Sequence, residues 1–309
     1  MQQRVNPYVD VEQCALCGSP SGQTSEVLRL NEEQRLLRCG VCGLLYNDRR
    51  RVDVEHLYGE DYYEGADRFS SGGYFSYGQM GKAVVRTDRF ASSFIRAHCG
   101  KRGVAARLLD IGCGYGFFLR QFEQDEHMAV VGVEASPKAA AEASKTVRSV
   151  ICARFEDIEY SELGTFDFVV AFEVIEHLSD PVGFMRKVHH LLREGGHVFM
   201  STPDVGSFWF RLLKRRWPGL HPHHHHLYFS KRTLRRLAES CGFQVLVLRS
   251  RQYYYTHVRH VRKRMLELFP LAGKVFSGLK PFDAATIPFL NGGDLQVILT
   301  KGAARDGGC

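Results

Sequence analysis

The sequence lacks any run of about 18 apolar residues, so no segment reads as a transmembrane helix. Its first ten residues, Met1 to Asp10, lack the apolar core of a secretory signal, and a cytoplasmic location follows as the default expectation. Extremes of composition are also missing. With 44% hydrophobic and 24% charged residues, a disordered or fibrous chain is excluded. A length of 309 residues allows one large domain with a small appendage, or two domains. One stretch is almost devoid of acids. Between Val205 and Met265, Glu239 alone stands against 14 Lys and Arg, leaving 27 Lys and Arg against 33 acids elsewhere. The net charge of +7 therefore combines a basic, His-rich segment with a mildly acidic remainder. Such a concentration fits an anionic partner (nucleic acid, a membrane surface or a phosphorylated substrate), or else a solvated basic face.

Nine cysteines are present, and four of them form two Cys-x-x-Cys pairs, Cys14/Cys17 and Cys39/Cys42, each followed at once by Gly18 or Gly43. Such a knuckle lets two thiolates grip one ion while the glycine relieves the tight turn. The 21 residues between the pairs suffice for a short hairpin, with strands expected at 27–30 and 36–38. Four thiolates in this spacing predict tetrahedral zinc, in a closed and hence structural site. A module this small buries little core, so the ion would supply folding energy. The other five, Cys99, Cys113, Cys152, Cys241 and Cys309, read as free thiols. The expected organisation is a zinc ribbon over 1–56, then a Tyr/Gly-rich linker and lid helix over 57–100. A main domain over 101–302 and a tail over 303–309 complete it.

From Arg107 onward, short apolar runs alternate with helical segments. Strands are expected at 107–110, 129–134, 150–153, 166–172, 196–201, 243–248 and 295–300. Helices are expected at 117–126, from Pro137 to Ala143, from Pro181 to about Arg193, and at 231–240 with Ser230 as N-cap. This alternation predicts an α/β fold with a doubly wound, seven-stranded, mostly parallel sheet, Rossmann-like, carrying the small N-terminal zinc ribbon. Ligands of such a sheet lie at the carboxyl ends of its strands. The first of these strands runs into Asp110-Ile-Gly112-Cys113-Gly114-Tyr-Gly116. Glycines there let the backbone approach a ligand, and taken alone the turn also suits a nicotinamide dinucleotide. Asp110, however, sits where it would repel a pyrophosphate, and Glu134 closes the next strand, placed for a ribose diol.

On these residues the stretch from Arg107 to Lys301 resembles the class I S-adenosylmethionine-dependent methyltransferases. The resemblance implies that Asp110, Gly112, Cys113, Gly114 and Gly116 line the methionine end and that Glu134 accepts both ribose hydroxyls. Glu156 and Asp157 would face the adenine, with a solvated loop pair as the alternative. The segment 171–177 would lie beside the reacting methyl, with Glu173 on the cofactor side. Glu173-Val-Ile-Glu176-His177 is similar to the pattern of small-molecule methyltransferases, including the O-methyltransferases of quinone biosynthesis, where it is associated with the substrate side and sometimes a divalent metal. His177, expected to titrate near neutrality, is the candidate base, with Glu176 beside it. His226, within His226-Leu-Tyr-Phe-Ser230, is a third candidate catalytic residue at the acceptor pocket, and His223 to His225 read as a polar loop.

Two further segments, 202–230 and 251–293, follow strand ends and are expected to form an acceptor-side lid. The first carries Phe208, Trp209, Phe210 and Trp217 with Arg211, Lys214, Arg215 and Arg216. The second carries Tyr253 to Tyr255 with Arg259, Arg262, Lys263, Arg264, Leu266, Leu268 and Phe269. Basic groups there suit a phosphate or carboxylate on the acceptor. They also fit RNA or peripheral contact with a membrane surface. The expected function is methyl transfer from S-adenosylmethionine to a small-molecule, anionic acceptor, sugar-linked or phosphorylated, in a biosynthetic pathway. The alternatives are an RNA methyltransferase and a non-catalytic binding protein. Glu173 to His177 occupies the place of the Asn/Asp-Pro-Pro-aromatic motif of RNA enzymes, and the intact Asp110, Gly112, Gly114 and Glu134 speak against loss of catalysis.

Overall fold

A computed structural model describes residues 7–52, 88–99, 105–259, 261–262, 266 and 278–301. The N-terminal part forms β1 (Tyr8–Asp10), β2 (Thr24–Arg29), β3 (Arg35–Cys39), β4 (Leu45–Asn47) and β5 (Arg49–Arg51). Strands β2 and β3 are the hairpin expected between the cysteine pairs, and β4 returns antiparallel beside β3. Strands β1 and β5 form a separate two-stranded ribbon.

The main domain begins with α1 (Arg89–His98), the described part of the expected lid helix. Its strands are β6 (Ala106–Ile111), β7 (Met128–Glu134), β8 (Val150–Cys152), β9 (Phe166–Phe172) and β10 (Leu192–Pro203). After β11 (Leu227–Tyr228) come β12 (Phe243–His257) and β13 (Thr286–Lys301). Seven of them order as β12-β13-β10-β9-β6-β7-β8. All neighbours from β8 to β10 pair parallel, while β13 runs antiparallel between β10 and β12. Successive strand side chains leave opposite faces. Leu109, Val169 and Val198 therefore join one cluster, under α4 (Pro181–Leu191) and α6 (Lys231–Ser240). Leu108, Phe168 and Phe199 join another, under α1. Helices on both faces make the sheet doubly wound, as the alternation predicts.

Helix starts follow local chemistry. The helix α2 (Pro137–Ala143) begins with Ser136 accepting from the Ala139 amide, and α4 with Asp180 accepting from the Gly183 amide; each has Pro in its first turn. Ser230 and Thr233 form a reciprocal capping box at the start of α6. Two short helices, α3 (Tyr160–Leu163) and α5 (Phe208–Leu213), lie between these.

Three expectations change. The helix expected at 117–126 is reduced to one 3-10 turn over Leu119–Gln121, closed by bonds such as the Phe122 amide to the Leu119 carbonyl; that turn suffices to bury Phe118, Leu119 and Phe122. The two ends of the second lid segment, 251–257 and 286–293, extend the β12–β13 hairpin, whose register runs out to His257 opposite Thr286. The first is no free lid either. Its strand β11 pairs with β4, giving a four-stranded sheet β11-β4-β3-β2. Phe210, Trp217 and Leu220 pack on Leu36, Leu45 and Tyr228 on one side of that sheet. Leu37, Cys39, Leu44 and Tyr46 belong to the same cluster as the central sheet. The expected linker at 57–77 lies outside the described residues, as do Lys263, Arg264, Leu268, Phe269 and Cys309.

Candidate functional site

The site is built at the carboxyl ends of β6, β7, β9 and β10. Gly112, Gly114 and Gly116 all have positive φ, at 74°, 54° and 71°. At Gly112 a side chain would be doubly penalised: by that φ, and by a Cβ only 2.8 Å from Val174 Cγ2. The turn is tied to the next strand by the Gly112 and Cys113 amides, which both donate to the Val133 carbonyl. Glu134, 4% exposed, accepts from the Gly114 amide (2.9 Å) and the Ser136 amide (2.8 Å). Asp110 is 3% exposed; burial, then the charges of Asp88 and Glu134, push its carboxyl well above the usual range. The Cys113 thiol is likewise pushed up, first by burial and then by Asp110 and Glu134, so it is no nucleophile. Two buried acids flank the glycine turn. That donor set fits a cationic sulfonium amino acid and a ribose diol, not a pyrophosphate.

Glu156 and Asp157 lie on a 3-10 turn after β8, both exposed, with Arg154 within 3.6 Å of one and 3.9 Å of the other. The buried Lys187 of α4 holds this turn from beneath, donating to the carbonyls of Phe155, Glu156 and Ile158. Nothing in the spacing pointed to Lys187.

Beyond β9 the chain turns sharply: Glu173 has φ 54°, rare for a residue with a Cβ. Its amide donates to the Ser201 carbonyl, and its carboxylate accepts from the Ser201 hydroxyl at 2.6 Å. Glu176 is fully buried and accepts from the Thr202 hydroxyl at 3.0 Å. Burial, then the charge of Glu173, holds its carboxyl well above the usual range. Its other oxygen, Oε1, has no hydrogen-bond partner and lies 3.9 Å from His177 Nε2. The His177 Nδ1–H donates to the His224 carbonyl at 3.1 Å, which directs the Nε2 lone pair toward Glu176. A titration near neutrality is not what the structure gives. Burial, then the charges of His224 and His226, pushes His177 down to about 3.

The expected polar loop at His223 to His225 is largely buried. His224 and His225 are buried, and the His225 ring meets His177 edge-on at 4.7 Å between centroids. Its Nδ1–H donates to the Gly219 carbonyl. Donor atoms of Glu176, His177 and His225 all lie within 4.8 Å of one another. The loop thus brings His225 to Glu176 and His177. His226 is tied there through its backbone, its amide donating to the Glu176 carbonyl; burial, then Arg50, lowers its imidazole to about 4. His225 was read only as part of a polar loop, and Ser201 and Thr202 were given no role in the sequence, although Ser-Thr at the end of the fifth strand was a legible signal.

The four cysteines converge in the N-terminal sheet. Their sulfurs lie within 4.8 Å of one another, with Cys14 Sγ to Cys42 Sγ 3.5 Å and Cys17 Sγ to Cys39 Sγ 3.6 Å. A tetrahedral ion with metal–sulfur bonds of about 2.3 Å requires edges of about 3.8 Å. The amides of Cys42 and Leu44 point at Cys39 and Cys42 sulfur. Burial raises the Cys14 thiol to about 11, whereas at Cys39 the opposing bonds from Ser19 and from the Cys42 and Val41 amides outweigh burial and bring it to about 6. The donor set fits zinc. Among the lid arginines, Arg262 is already engaged, forking onto Asp283 at 2.7 and 2.9 Å.

A family model described as "Methyltransferase domain" matches residues 85–248, more than half of the chain. Among curated proteins, the chain is 30% identical to a ubiquinone biosynthesis O-methyltransferase of Vibrio parahaemolyticus over 131 residues, 38% of this chain and 55% of that protein. It is 35% identical to the namesake from Ruegeria pomeroyi over 127 residues, 38% of this chain and 49% of that one. The chain thus spans about half the length of the curated relatives it matches. Among solved structures, the magnesium protoporphyrin IX methyltransferase of Synechocystis, with bound SAH, superposes with a TM-score of 0.53 at 14% identity, covering 81% of this chain and 98% of that one. The plantazolicin methyltransferase, also with SAH, gives 0.52 at 13% identity, covering 81% and 93%.

Proposed function

The chain belongs to the methyltransferase-domain family, and on that premise we propose that it moves the methyl group of S-adenosylmethionine to a hydroxyl of a small-molecule acceptor in a biosynthetic pathway. The observation that carries the reading is the pair of buried strand-end acids, Asp110 and Glu134, on either side of three left-handed glycines. Oxygen as the methylated atom is supported by the curated relatives, which are named as O-methyltransferases.

S-adenosylmethionine supplies a methyl group already activated by its sulfonium, so the protein's task is alignment and exclusion of water. Asp110 faces the ammonium end, Glu134 the ribose, and the Glu156–Asp157 turn the adenine. Val174, the residue after Glu173, sits against Gly112 and joins this turn to the cofactor turn. An acceptor hydroxyl must lose its proton as it attacks. His177 and His225 are held neutral by burial, each with its Nδ1–H engaged by a carbonyl, and in that form an imidazole can accept a proton. Glu176 Oε1 lies 3.9 Å from His177 Nε2, beside the place where that proton would arrive. The exposed Arg211, Lys214, Arg215 and Arg216 favour a phosphate or carboxylate on the acceptor. Cys14, Cys17, Cys39 and Cys42 would hold one structural zinc, and four thiolates kept reduced for it suit the cytoplasm.

The test offers labelled S-adenosylmethionine to the small-molecule extract of the host and, separately, to its RNA. Label in a small molecule is expected; label in RNA alone overturns the acceptor class. Calorimetry with S-adenosylhomocysteine checks the cofactor site: Asp110→Ala is expected to weaken binding at least about tenfold, the loss of one charge-assisted contact. Unchanged affinity would remove Asp110 from the site.

A further inference from the structure

The His221–His226 loop is held from two sides. On one side stands the Glu176–His177 turn, bonded to the His224 carbonyl and the His226 amide. On the other stands the four-Cys sheet. Asn47, the last residue of β4 and 1% exposed, sends its side-chain amide into the loop, donating to the carbonyls of Pro222 (2.9 Å) and His225 (2.8 Å). Its backbone amide donates to the His226 carbonyl at 3.0 Å. Gln34, completely buried at the hairpin tip, reaches the same Pro222 carbonyl at 3.1 Å. Tyr8 bonds His223 Nδ1 through its hydroxyl at 2.7 Å. β11 continues the loop as the fourth strand of that sheet, Leu227 opposite Tyr46.

These contacts converge on carbonyls of one loop. Carbonyls of an irregular, buried loop have no ladder partners of their own, so a donor placed beneath them fixes the loop's path. A primary amide giving both protons to carbonyls three residues apart fixes the spacing of those residues as well. Here that spacing decides where the His225 ring falls relative to His177.

We propose that the four-Cys sheet is a wall of the acceptor site and that Asn47 is the positioning residue that sets His225 against His177. This rests on the methyltransferase reading. Asn47 touches neither cofactor nor acceptor; it acts through the loop. The module that the cysteines close therefore serves acceptor chemistry without supplying a reacting group, and loss of the Asn47 amide separates the two imidazoles while the glycine turn and Glu134 stay as they are.

The test uses the full chain with its zinc. Asn47→Asp is nearly isosteric and turns two donated bonds into two repulsions. With protonated histidine rings in a deuterated chain, a ring-to-ring nuclear Overhauser contact between His177 and His225 is expected in the wild type and absent in the variant. The amides of 223–226 are expected to exchange at least about tenfold faster, a local opening. Zinc content is expected to stay at one per chain, and S-adenosylhomocysteine affinity within about twofold, since the cofactor turn is untouched. A persisting ring contact in an Asn47→Asp chain that binds S-adenosylhomocysteine overturns the positioning role. A wild type that does not bind S-adenosylhomocysteine overturns the methyltransferase reading instead. Should Asn47→Asp fail to fold, Asn47→Ala removes both donated bonds without adding a charge, and an unchanged ring contact with unchanged exchange at 223–226 there overturns the proposal.

Discussion

Burial rearranges the acid–base properties of single residues in this protein, and the imidazoles carry the measurable consequence. His177 titrates at about 3 in the folded chain against 6.5 ordinarily, so between these values the unfolded chain binds the additional proton. Stability from His177 is therefore intact above about pH 6.5 and lost as the pH falls toward 3. His225 and His226 are lowered too and add to the same acid limb. Asp110 and Glu176 have the opposite sign: raised in the folded chain, they favour it at low pH and lose that contribution as the pH rises. The His177→Gln variant is expected to lose less stability than wild type between pH 6.5 and 5, the difference reaching about 2 kcal/mol at one proton over that span. Thermal melts across that range check it, and parallel pH profiles for the two chains would refute it. The site residues divide in the same way. Asp110, Gly112 and Glu134 were legible because an acid before a glycine turn and an acid closing the next strand are positions along one chain. His225 was not, because five histidines within six residues gave no sign of which ring faces inward; the rings of His225 and His177 are oriented by the carbonyls of Gly219 and His224.

At the scale of elements, chain-local chemistry sets the boundaries. The Pro-led helices and the Ser230 N-cap are where the sequence placed them, and the structure adds the Ser136 and Asp180 caps and the Ser230–Thr233 capping box. Ser230→Ala removes the acceptor for the Thr233 amide and is expected to cost about 1 kcal/mol. Denaturant melts check this, with S-adenosylhomocysteine affinity expected to hold because the cap touches no cofactor residue. A neutral substitution would mean that the chain entering α6 is held by other contacts, such as the Asp204–Phe229 bridge. Expectations failed where partners are distant in sequence. Nothing within 202–230 announces that Leu227 and Tyr228 pair with Tyr46 and Leu45, since a two-residue strand has no period to read. The 3-10 turn at Leu119–Gln121 failed for a related reason: the apolar spacing of 117–126 suits a longer helix, but the core takes what it needs from one turn.

At the scale of the whole molecule, the cysteine module and the catalytic sheet share a core. Cys14, Cys39, Cys42 and Tyr46 lie in one buried cluster with Leu109, Val169 and Met200 of the central sheet. Metal analysis is expected to find about one zinc per chain. Because the cluster is continuous, chelation is expected to lower a single unfolding transition seen by calorimetry. A separate low-temperature transition appearing on chelation would show that the module melts alone. The sequence by itself determined the alternating sheet, the glycine turn with its two acids and the four-thiolate knuckle, because each is written in short-range spacing, period and turn chemistry. Only the tertiary structure decided which imidazole meets His177, what Asn47, Gln34 and Lys187 hold, and that an apparent lid is the fourth strand of the cysteine sheet. Those outcomes depend on buried polar groups finding partners 29 to 188 residues away, and no local pattern encodes such a pairing.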